Sequence, residues 1–376
     1  MRARSRVREV LIIAGEASGD LHASGFAAAL KRIRPDLTLT GVGGARMESG
    51  GVTLLERSDR MAVMGFVEVI RQVPRHYALL SSLKRRLRSG AVALLVVIDY
   101  PGFNMKLAAA AAAAGVPVLY YITPQVWAWG AGRLAQLSRI VTRAAPILPF
   151  EESLLRAHGI NATFVGHPLL DRIGEMPDRV EARRMLGLKE SDEVLALFPG
   201  SRAQEIDRHL DDFVRTAQVL EARRPGLRVV VSAASTVTID PARCPYPRVP
   251  SASFTVLRAA DAALCKSGTT TLEAAVAGCP LVVAYRTSPW TYAIARRVVK
   301  IPHIGLVNVV AGREVAPEFV QDAFVPEQVA SALEPLLDRA DPRRAAMLDA
   351  LAEVRAKLGT PGAADRVAAI ASELAV

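Results

Sequence analysis

The sequence predicts an α/β protein made of two doubly wound parallel-sheet domains that face each other across a cleft. Two observations predict this fold class. Short apolar runs alternate with amphipathic helical segments along the chain, as in parallel sheets covered by helices. A chain of 376 residues is also longer than one ordinary domain. The alternation starts again after a turn-rich segment near 168–190. We therefore expect a first domain at 1–175, a second at 176–345 and C-terminal helices at 346–376.

The expected elements follow from apolar runs and from the residues that interrupt them. A helix is expected from about Asp20 to Arg34, where Pro35 stops it, and another over the alanine run that Gly115 closes. Strands of the first sheet are expected at 7–14, 37–41, 93–98, 116–122, 145–148 and 163–165. Strands of the second sheet are expected at 193–198, 227–232, 254–256, 262–265 and 281–285.

Composition narrows the classes of function. Hydrophobic residues make up 51% of the chain and the mean hydropathy is +0.23, as in a well-packed globular protein. The apolar run near the start is too short for a signal peptide, and the uncharged stretch 107–129 is broken by glycine and prolines, so neither predicts a membrane segment. The net charge of +10 admits anionic partners, but the basic residues lack the aromatic interleaving of a nucleic-acid binder. The three cysteines have no metal-ligand spacing, and we expect no metal or cofactor.

Two loops in the second half resemble phosphate-binding turns. Residues 199–202, Pro-Gly-Ser-Arg, join a buried strand to a helix whose backbone N–H groups can hold a phosphate, and Arg202 can add a bidentate contact. Residues 266–271, Lys-Ser-Gly-Thr-Thr-Thr, repeat this arrangement, and Glu273 can accept hydrogen bonds from a ribose. The alternatives are an ordinary turn with Ser201 as N-cap, and a capping box between Thr270 and Glu273. Together the loops favour a nucleotide-diphosphate site.

Polar residues also end the first strands of the first domain. Residues 15–20 read Gly-Glu-Ala-Ser-Gly-Asp, which suits a sugar or phosphate, although Ser18 and Asp20 are equally natural N-caps. Asp99 ends the most apolar strand, where partial burial can make a carboxylate a general base; the alternative is that it caps the following turn. The pair Trp127 and Trp129 lies in a polar loop, which is typical either of a sugar or acyl site or of packing.

The segment 61–88 combines an apolar face with a basic end. This combination is typical of an interfacial membrane contact, and the alternative is core packing with a solvated basic end. The expected membrane-contacting residues are Phe66, Val67, Ile70, Val73, Arg85 and Arg86.

The order and spacing of several segments resemble the lipid-A-disaccharide synthase family over essentially the whole chain. That family has the GT-B fold of two Rossmann-like domains, in which the last helix often returns to the first domain. The matching segments are GEASGD (15–20), MAVMGFVEV (61–69), ITPQVWAW (122–129), LPFE (148–151), FVGHPLLD (164–171), FPGSRAQEI (198–206), KSGTTTLEAA (266–275) and LVNVVAGREVAPEFVQ (306–321).

The resemblance implies an inverting, metal-independent glycosyltransferase. It would join UDP-2,3-diacylglucosamine to 2,3-diacylglucosamine 1-phosphate, giving a β-1,6-linked disaccharide 1-phosphate and UDP. It would be cytoplasmic and peripheral on the inner membrane. The implied donor-binding residues are Gly200, Ser201, Arg202, Glu205, Ser267, Gly268, Thr269, Glu273 and Asn308. The implied acceptor-side residues are Ser18, Gly19, Met64, Asn104, Gln125 and Trp127. The candidate bases are Asp99, Asp20 and Glu16.

One departure from the family pattern concerns the base. The family usually reads DxPDFN after the strand that Asp99 ends, whereas this chain reads DYPGFN, with Gly102 in place of the second acid. A Pro-Asp that commonly precedes this strand is also missing. Either Asp99 or the 15–20 loop then supplies the base, or the protein is a weak or silent nucleotide-sugar-binding homologue. Another UDP-N-acetylglucosamine enzyme of GT-B fold is a further alternative.

Overall fold

The chain folds into alternating strands and helices, as seen in a computed structural model that describes residues 8–58, 66–128, 132–235, 237–298 and 301–375. The side chains of 66–73, 294–295 and 297–298 lie outside that description. The strands within it are β1 Glu9–Ala14, β2 Thr38–Gly43, β3 Thr53–Arg57, β4 Val92–Ile98, β5 Val118–Tyr121, β6 Arg143–Ala145, β7 Val194–Phe198, β8 Arg228–Ala233, β9 Arg248–Pro250, β10 Ala262–Lys266, β11 Leu281–Tyr285 and β12 Glu318–Val320.

The α-helices connect these strands and close the chain. They are α1 Ala17–Ile33, α2 Ala45–Ser49, α3 Phe66–Arg88, α4 Pro101–Ala113, α5 Gly132–Ile140, α6 Glu151–Ala157, α7 Arg179–Met185, α8 Ala203–Arg223, α9 Ser253–Ala259, α10 Thr270–Ala277, α11 Pro289–Val298, α12 Leu306–Ala311, α13 Pro326–Leu337, α14 Pro342–Lys357 and α15 Ala363–Leu374. Short 3₁₀ helices cover Pro168–Glu175 and Gln321–Ala323.

The chain divides into two compact units, Met1–Asp171 with Gly359–Val376, and Arg172–Leu358. The first unit therefore includes α15, which packs on α1 and contributes buried residues to the core of that unit. Asp171 fixes the start of α15, because its carboxylate accepts the backbone N–H groups of Gly362 (2.5 Å), Ala363 and Ala364 (3.2 Å each). Helix α14 lies in the second unit, whereas the predicted boundary between the second domain and the C-terminal helices falls within it, after residue 345.

The first unit holds a six-stranded parallel sheet in the order β3-β2-β1-β4-β5-β6. Its central strand β4 is apolar throughout because helices cover both faces. Leu95 and Val97 face one hydrophobic cluster, and Leu94 and Val96 face the other. The expected doubly wound arrangement is confirmed for this unit.

The second unit repeats the architecture with a parallel sheet in the order β12-β11-β10-β7-β8-β9. Strands β7 and β11 lie within one residue of the expected bounds. The three cysteines, Cys244, Cys265 and Cys279, are free and buried.

Two strand predictions are wrong. The segment 254–256 belongs to α9, because a run of three apolar residues has no period that separates a strand from a buried helical turn. The segment 163–165 forms no described strand; its neighbour Ala162 makes an isolated bridge to Ala144. Strands β3, β9 and β12 were missed, since none of their residues is buried and β9 and β12 have only three residues each.

Candidate functional site

The candidate residues cluster where the strand order of each sheet reverses. In the first unit this point lies between β1 and β4, where Ala14 pairs with Ile98. In the second unit it lies between β7 and β10, where Phe198 pairs with Cys265. Open α/β sheets bind ligands beyond the carboxyl ends of the strands at such points.

In the first unit, the loop after β1 packs directly on the loop after β4. A Cβ atom added at Gly15 would lie 2.4 Å from the ring of Tyr100, so glycine is required there for the two loops to meet. Burial, followed by the negative charge of Glu16, raises the pKa of the Tyr100 hydroxyl. The sequence-predicted candidates Glu16 and Asp99 therefore follow neighbouring strands whose loops are in contact.

Asp99 lies in a strained turn that other side chains hold in place. Asp99 and Tyr100 both have a φ of +47°, a left-handed conformation that costs energy without glycine. The buried amide of Asn104 donates to the carbonyl oxygens of Ile98 (3.1 Å) and Asp99 (2.8 Å), and the Tyr120 hydroxyl donates to the latter (3.0 Å). The backbone of this turn is thus held at the carboxyl edge of the sheet, where the side chain of Asp99 is half-buried. Asn104, predicted on the acceptor side, is a residue that shapes this turn.

Asp20 is a predicted candidate base, but its carboxylate is engaged at the start of a neighbouring helix. Its buried carboxylate accepts three backbone N–H groups at the start of α2, from Gly44 (2.6 Å), Met47 (3.0 Å) and Arg46 (3.2 Å). A Cβ atom at Gly44 would lie 2.5 Å from this carboxylate, which explains the glycine there. Asp20 is therefore a capping residue that ties α1 to α2. The cap is on the neighbouring helix rather than on its own.

The remaining acceptor-side candidates lie on the same edge of the first unit with different exposures. Ser18 and Gln125 are exposed, whereas Gly19 is buried. A Cβ atom added at Gly19 would lie 3.4 Å from the Cβ atom of Ala14. Met64 lies outside the described residues.

The indole of Trp127 is held by the carboxyl group of Glu151, for which the sequence predicts no role. The indole N–H of Trp127 donates to Oε1 of Glu151 (3.0 Å), and the backbone N–H of Leu148 donates to Oε2 (3.1 Å). The Phe150 ring meets the indole edge-on at 5.2 Å between centroids. Glu151 is 3% exposed, and this burial, together with the charge of Asp99, raises its pKa to about 7. Glu151 is therefore a buried carboxyl group of raised pKa beside the tryptophan of the 122–129 segment.

In the second unit, the 199–202 loop is closed by Glu205 from the first turn of α8. Oε2 of Glu205 accepts the backbone N–H of Ser201 at 2.9 Å. Gly200 has a φ of +145°, and a Cβ atom there would lie 2.5 Å from Glu205, so glycine is required. Helix α8 has Arg202, not Ser201, as its N-cap residue. The ordinary N-cap alternative for Ser201 is therefore wrong.

The second loop, at 266–271, begins beside the first. Lys266 at the end of β10 forms an ion pair with Glu205, with Nζ 2.9 Å from Oε1. Ser267 donates its hydroxyl to the carbonyl of Ile304 (2.7 Å), Gly268 has a φ of +157°, and Thr269 is exposed as the N-cap residue of α10. Both predicted diphosphate loops therefore meet at the reversal point of this sheet.

The alternative of a capping box between Thr270 and Glu273 is not supported, since Thr269 is the N-cap residue of α10 and its side chain makes no cap hydrogen bond. One carboxylate oxygen of Glu273 lies 3.9 Å from Arg172. Burial raises the pKa of Glu273, and the hydrogen bond from Ser253 and the charge of Arg172 partly oppose this shift. The carboxyl group faces residues of its own unit beside the loop.

Asn308 is fully buried, and its amide is engaged within the protein. Nδ2 donates to the carbonyl of Ala316 (2.7 Å) and to Glu318 (2.8 Å), while Oδ1 accepts the N–H groups of Val315 and Ala316. Glu318 in turn accepts the N–H groups of Ile304 and Gly305. Asn308 therefore positions the backbone that Ser267 contacts, and it does not present its own amide outward.

At the basic end of the predicted membrane segment, some side chains pack in the core and others are exposed. Leu80, Leu83 and Leu87 of α3 are buried, and Arg86 pairs with the buried carboxylate of Glu9 at 2.6 Å. Arg85 is exposed. The side chains of Phe66, Val67, Ile70 and Val73 lie outside the described residues. No helix in the described ranges has the length and apolar character needed to cross a membrane.

Solved structures with this architecture are numerous. A calicheamicin glycosyltransferase, CalG4, has a TM-score of 0.63 at 16% identity, covering 98% of each chain. MnaA of S. aureus with UDP has a TM-score of 0.65 at 12% identity, covering 96% of this chain and 94% of that one. A Medicago truncatula protein, UGT71G1, complexed with UDP-glucose has a TM-score of 0.58 at 12% identity, covering both chains completely. The fold is thus GT-B, the two-domain Rossmann-like architecture found among glycosyltransferases.

Sequence relatives define the family within that class. The lipid-A-disaccharide synthetase family model matches residues 10–360. A lipid-A-disaccharide synthase of Syntrophus aciditrophicus is 42% identical over 97% of each chain. One of Geobacter metallireducens is 41% identical over 98% of this chain and 97% of its own. The chain belongs to the lipid-A-disaccharide synthetase family.

Proposed function

We propose that this glycosyltransferase joins UDP-2,3-diacylglucosamine to 2,3-diacylglucosamine 1-phosphate with inversion, giving a β-1,6-linked disaccharide 1-phosphate and UDP. The observation that carries the proposal is family membership across residues 10–360. The loops at both sheet reversal points support it, because each binding role has a suitable place within one unit.

The donor diphosphate would bind at the second unit. Backbone N–H groups at the start of α8, a helix of 21 residues, and at the start of α10 offer donors to phosphate oxygens. Arg202, the N-cap residue of α8, adds a positive charge. Ser267, Gly268 and Thr269 would line the same site. Asn308 would act indirectly, because it positions the backbone that Ser267 contacts.

The acceptor hydroxyl would be activated at the first unit. Asp99 takes the proton of the acceptor's 6-hydroxyl group as the new bond forms to the anomeric carbon of the donor sugar. The bond between that carbon and the diphosphate oxygen breaks, and UDP departs with the electron pair. Asp99 is the preferred base because Asp20 is engaged by three backbone N–H groups, whereas Asp99 is half-buried at the carboxyl edge.

The acylated substrates reside in a membrane, and the protein would act as a peripheral protein on the cytoplasmic face of the inner membrane. The basic end of α3 and the net charge of +10 support attraction to anionic lipid.

The purified full chain tests this proposal with both substrates in detergent. We expect UDP release that depends on the acceptor, together with a product whose mass equals that of the disaccharide 1-phosphate. UDP binding without acceptor-dependent release would instead support a silent nucleotide-sugar-binding homologue. Turnover with a different acceptor only would support another UDP-N-acetylglucosamine enzyme of the same fold.

A further inference from the structure

Lys266 lies at the junction of the two loops of the second unit. It ends β10, directly beside the strand that leads into the 199–202 loop. Its Nζ atom is 2.9 Å from Oε1 of Glu205, and Arg202 is 3.7 Å from the same oxygen. The side chains of Lys266 and Glu205 are only 18% and 13% exposed. Two cations therefore share one carboxylate at this point.

Glu205 has a structural reason to remain charged. Burial alone would raise its pKa, but Lys266, the Ser201 N–H and Arg202 outweigh that effect, so its pKa is lowered. The same carboxylate spans both loops, since one oxygen accepts the Ser201 N–H and the other faces Lys266. Glu205 thus fixes the positions of both cations relative to the loops.

Lys266 and Arg202 bring two positive charges to the carboxylate of Glu205. His209, buried behind them, donates from Nδ1 to the Pro199 carbonyl (3.1 Å) and accepts the Arg286 N–H at Nε2 (2.9 Å). Burial and the charge of Lys266 lower the pKa of His209, so it stays neutral near neutral pH. A partly buried positive charge at a sheet reversal point suits an anion.

We propose that Lys266 is a second cationic contact for the diphosphate of a nucleotide donor, held beside Arg202 by Glu205. The inference rests on the proposed function, because that function places the donor at these loops. A diphosphate group carries several negative charges, and two ammonium or guanidinium groups match it better than one. The same contact stabilises the additional charge that develops on UDP as the glycosidic bond breaks.

A matched pair of lysine variants tests the proposal in the full chain. Lys266→Met removes the charge and keeps an apolar side chain of similar length. Lys189→Met removes the same charge from an exposed turn that precedes β7, at the opposite edge of the sheet. Calorimetric titration with UDP should show a loss of affinity of about tenfold to a hundredfold for Lys266→Met. Lys189→Met should stay within about twofold of wild type, and Lys266→Arg within about fivefold.

The outcomes separate this proposal from the proposed function. If wild type binds UDP and Lys266→Met binds it equally well, Lys266 is only a structural tie between the loops and the inference is wrong. If wild type binds no UDP, the proposed donor site itself fails.

A second measurement needs no variant and covers the case in which Lys266→Met does not fold. Lysine acylation of the wild-type protein, followed by mass spectrometry, should show UDP protecting Lys266 and leaving Lys189 unchanged. Equal labelling of Lys266 with and without saturating UDP would overturn the inference.

Discussion

At the scale of single residues, Glu151 is a buried carboxyl group whose pKa the fold raises. It is almost fully buried, and it accepts hydrogen bonds from Trp127 and from Leu148. Its pKa of about 7 lies well above the ordinary glutamate value of 4.5. Folding therefore favours the protonated form of Glu151. Ionisation of Glu151 as the pH rises destabilises the folded protein relative to the unfolded one.

This difference predicts a pH dependence of stability that Glu151→Gln removes. The folded pKa is raised, so the contribution is fully present below about pH 4.5 and is lost as the pH rises through about 7. Across that window wild type should lose roughly 3 kcal/mol relative to Glu151→Gln, from 1.36 kcal/mol per pKa unit. Urea unfolding at pH 5, 6, 7 and 8 measures the difference.

The variant also provides its own control. His167, whose pKa burial lowers to about 3, has the opposite pH dependence, but it is present in both proteins and cancels. Parallel curves of unfolding free energy against pH for the two proteins would show that Glu151 is ionised in the folded state.

At the scale of elements, the start of α4 carries the departure from the family pattern. Pro101 and Gly102 open the helix, and Tyr100 precedes it in a left-handed conformation. A Cβ atom added at Gly102 would meet no heavy atom within 4 Å, and the residue is exposed. The backbone therefore admits a side chain at this position, and the glycine is not required by space.

Gly102→Asp tests whether an acid at this position changes stability and turnover. An aspartate in the first turn interacts favourably with the helix dipole, and it loses less conformational entropy on folding than glycine does. We therefore expect about 1 kcal/mol of added stability. If Asp99 is the base, turnover should stay within about threefold of wild type. A hundredfold rise would move the base role to position 102. Gly102→Asn, which adds the same shape without the charge, is the control for both measurements.

The sequence predicted elements better than contacts. Long apolar runs such as β4 and β11 have a pattern that burial on both faces imposes, so their positions were predictable. The glycine-containing loops were predictable too, because glycine and polar residues mark turns after buried strands. The Asp20 cap on α2 and the Lys266–Glu205 pair join residues far apart in sequence, which no local pattern shows. The burial of Asn308 was hidden too, because its hydrogen bonds to Val315, Ala316 and Glu318 follow no helix or strand period.

At the scale of the whole molecule, the net charge of +10 predicts attraction to anionic lipid. Arg85 and Arg88 are exposed on α3, whereas Arg86 is committed to Glu9. Replacing Arg85 and Arg88 with Gln should weaken binding to phosphatidylglycerol-containing vesicles by about tenfold or more, since each cation near the surface contributes about 1 kcal/mol. Vesicle sedimentation measures the effect.

The control replaces two exposed arginines of the second unit, Arg208 and Arg215 on α8, by Gln. This pair should leave vesicle binding within about threefold of wild type. An equal loss for both pairs would mean that overall charge, and not the end of α3, governs vesicle binding.

The most direct test of the account is acceptor-dependent UDP release by Asp99→Asn at saturating donor. Asparagine tolerates the left-handed turn at this position, so the fold and UDP affinity should stay as in wild type. Turnover should fall by about 10²–10⁴-fold, the usual effect of losing a general base. Full turnover by a folded Asp99→Asn protein would contradict the account.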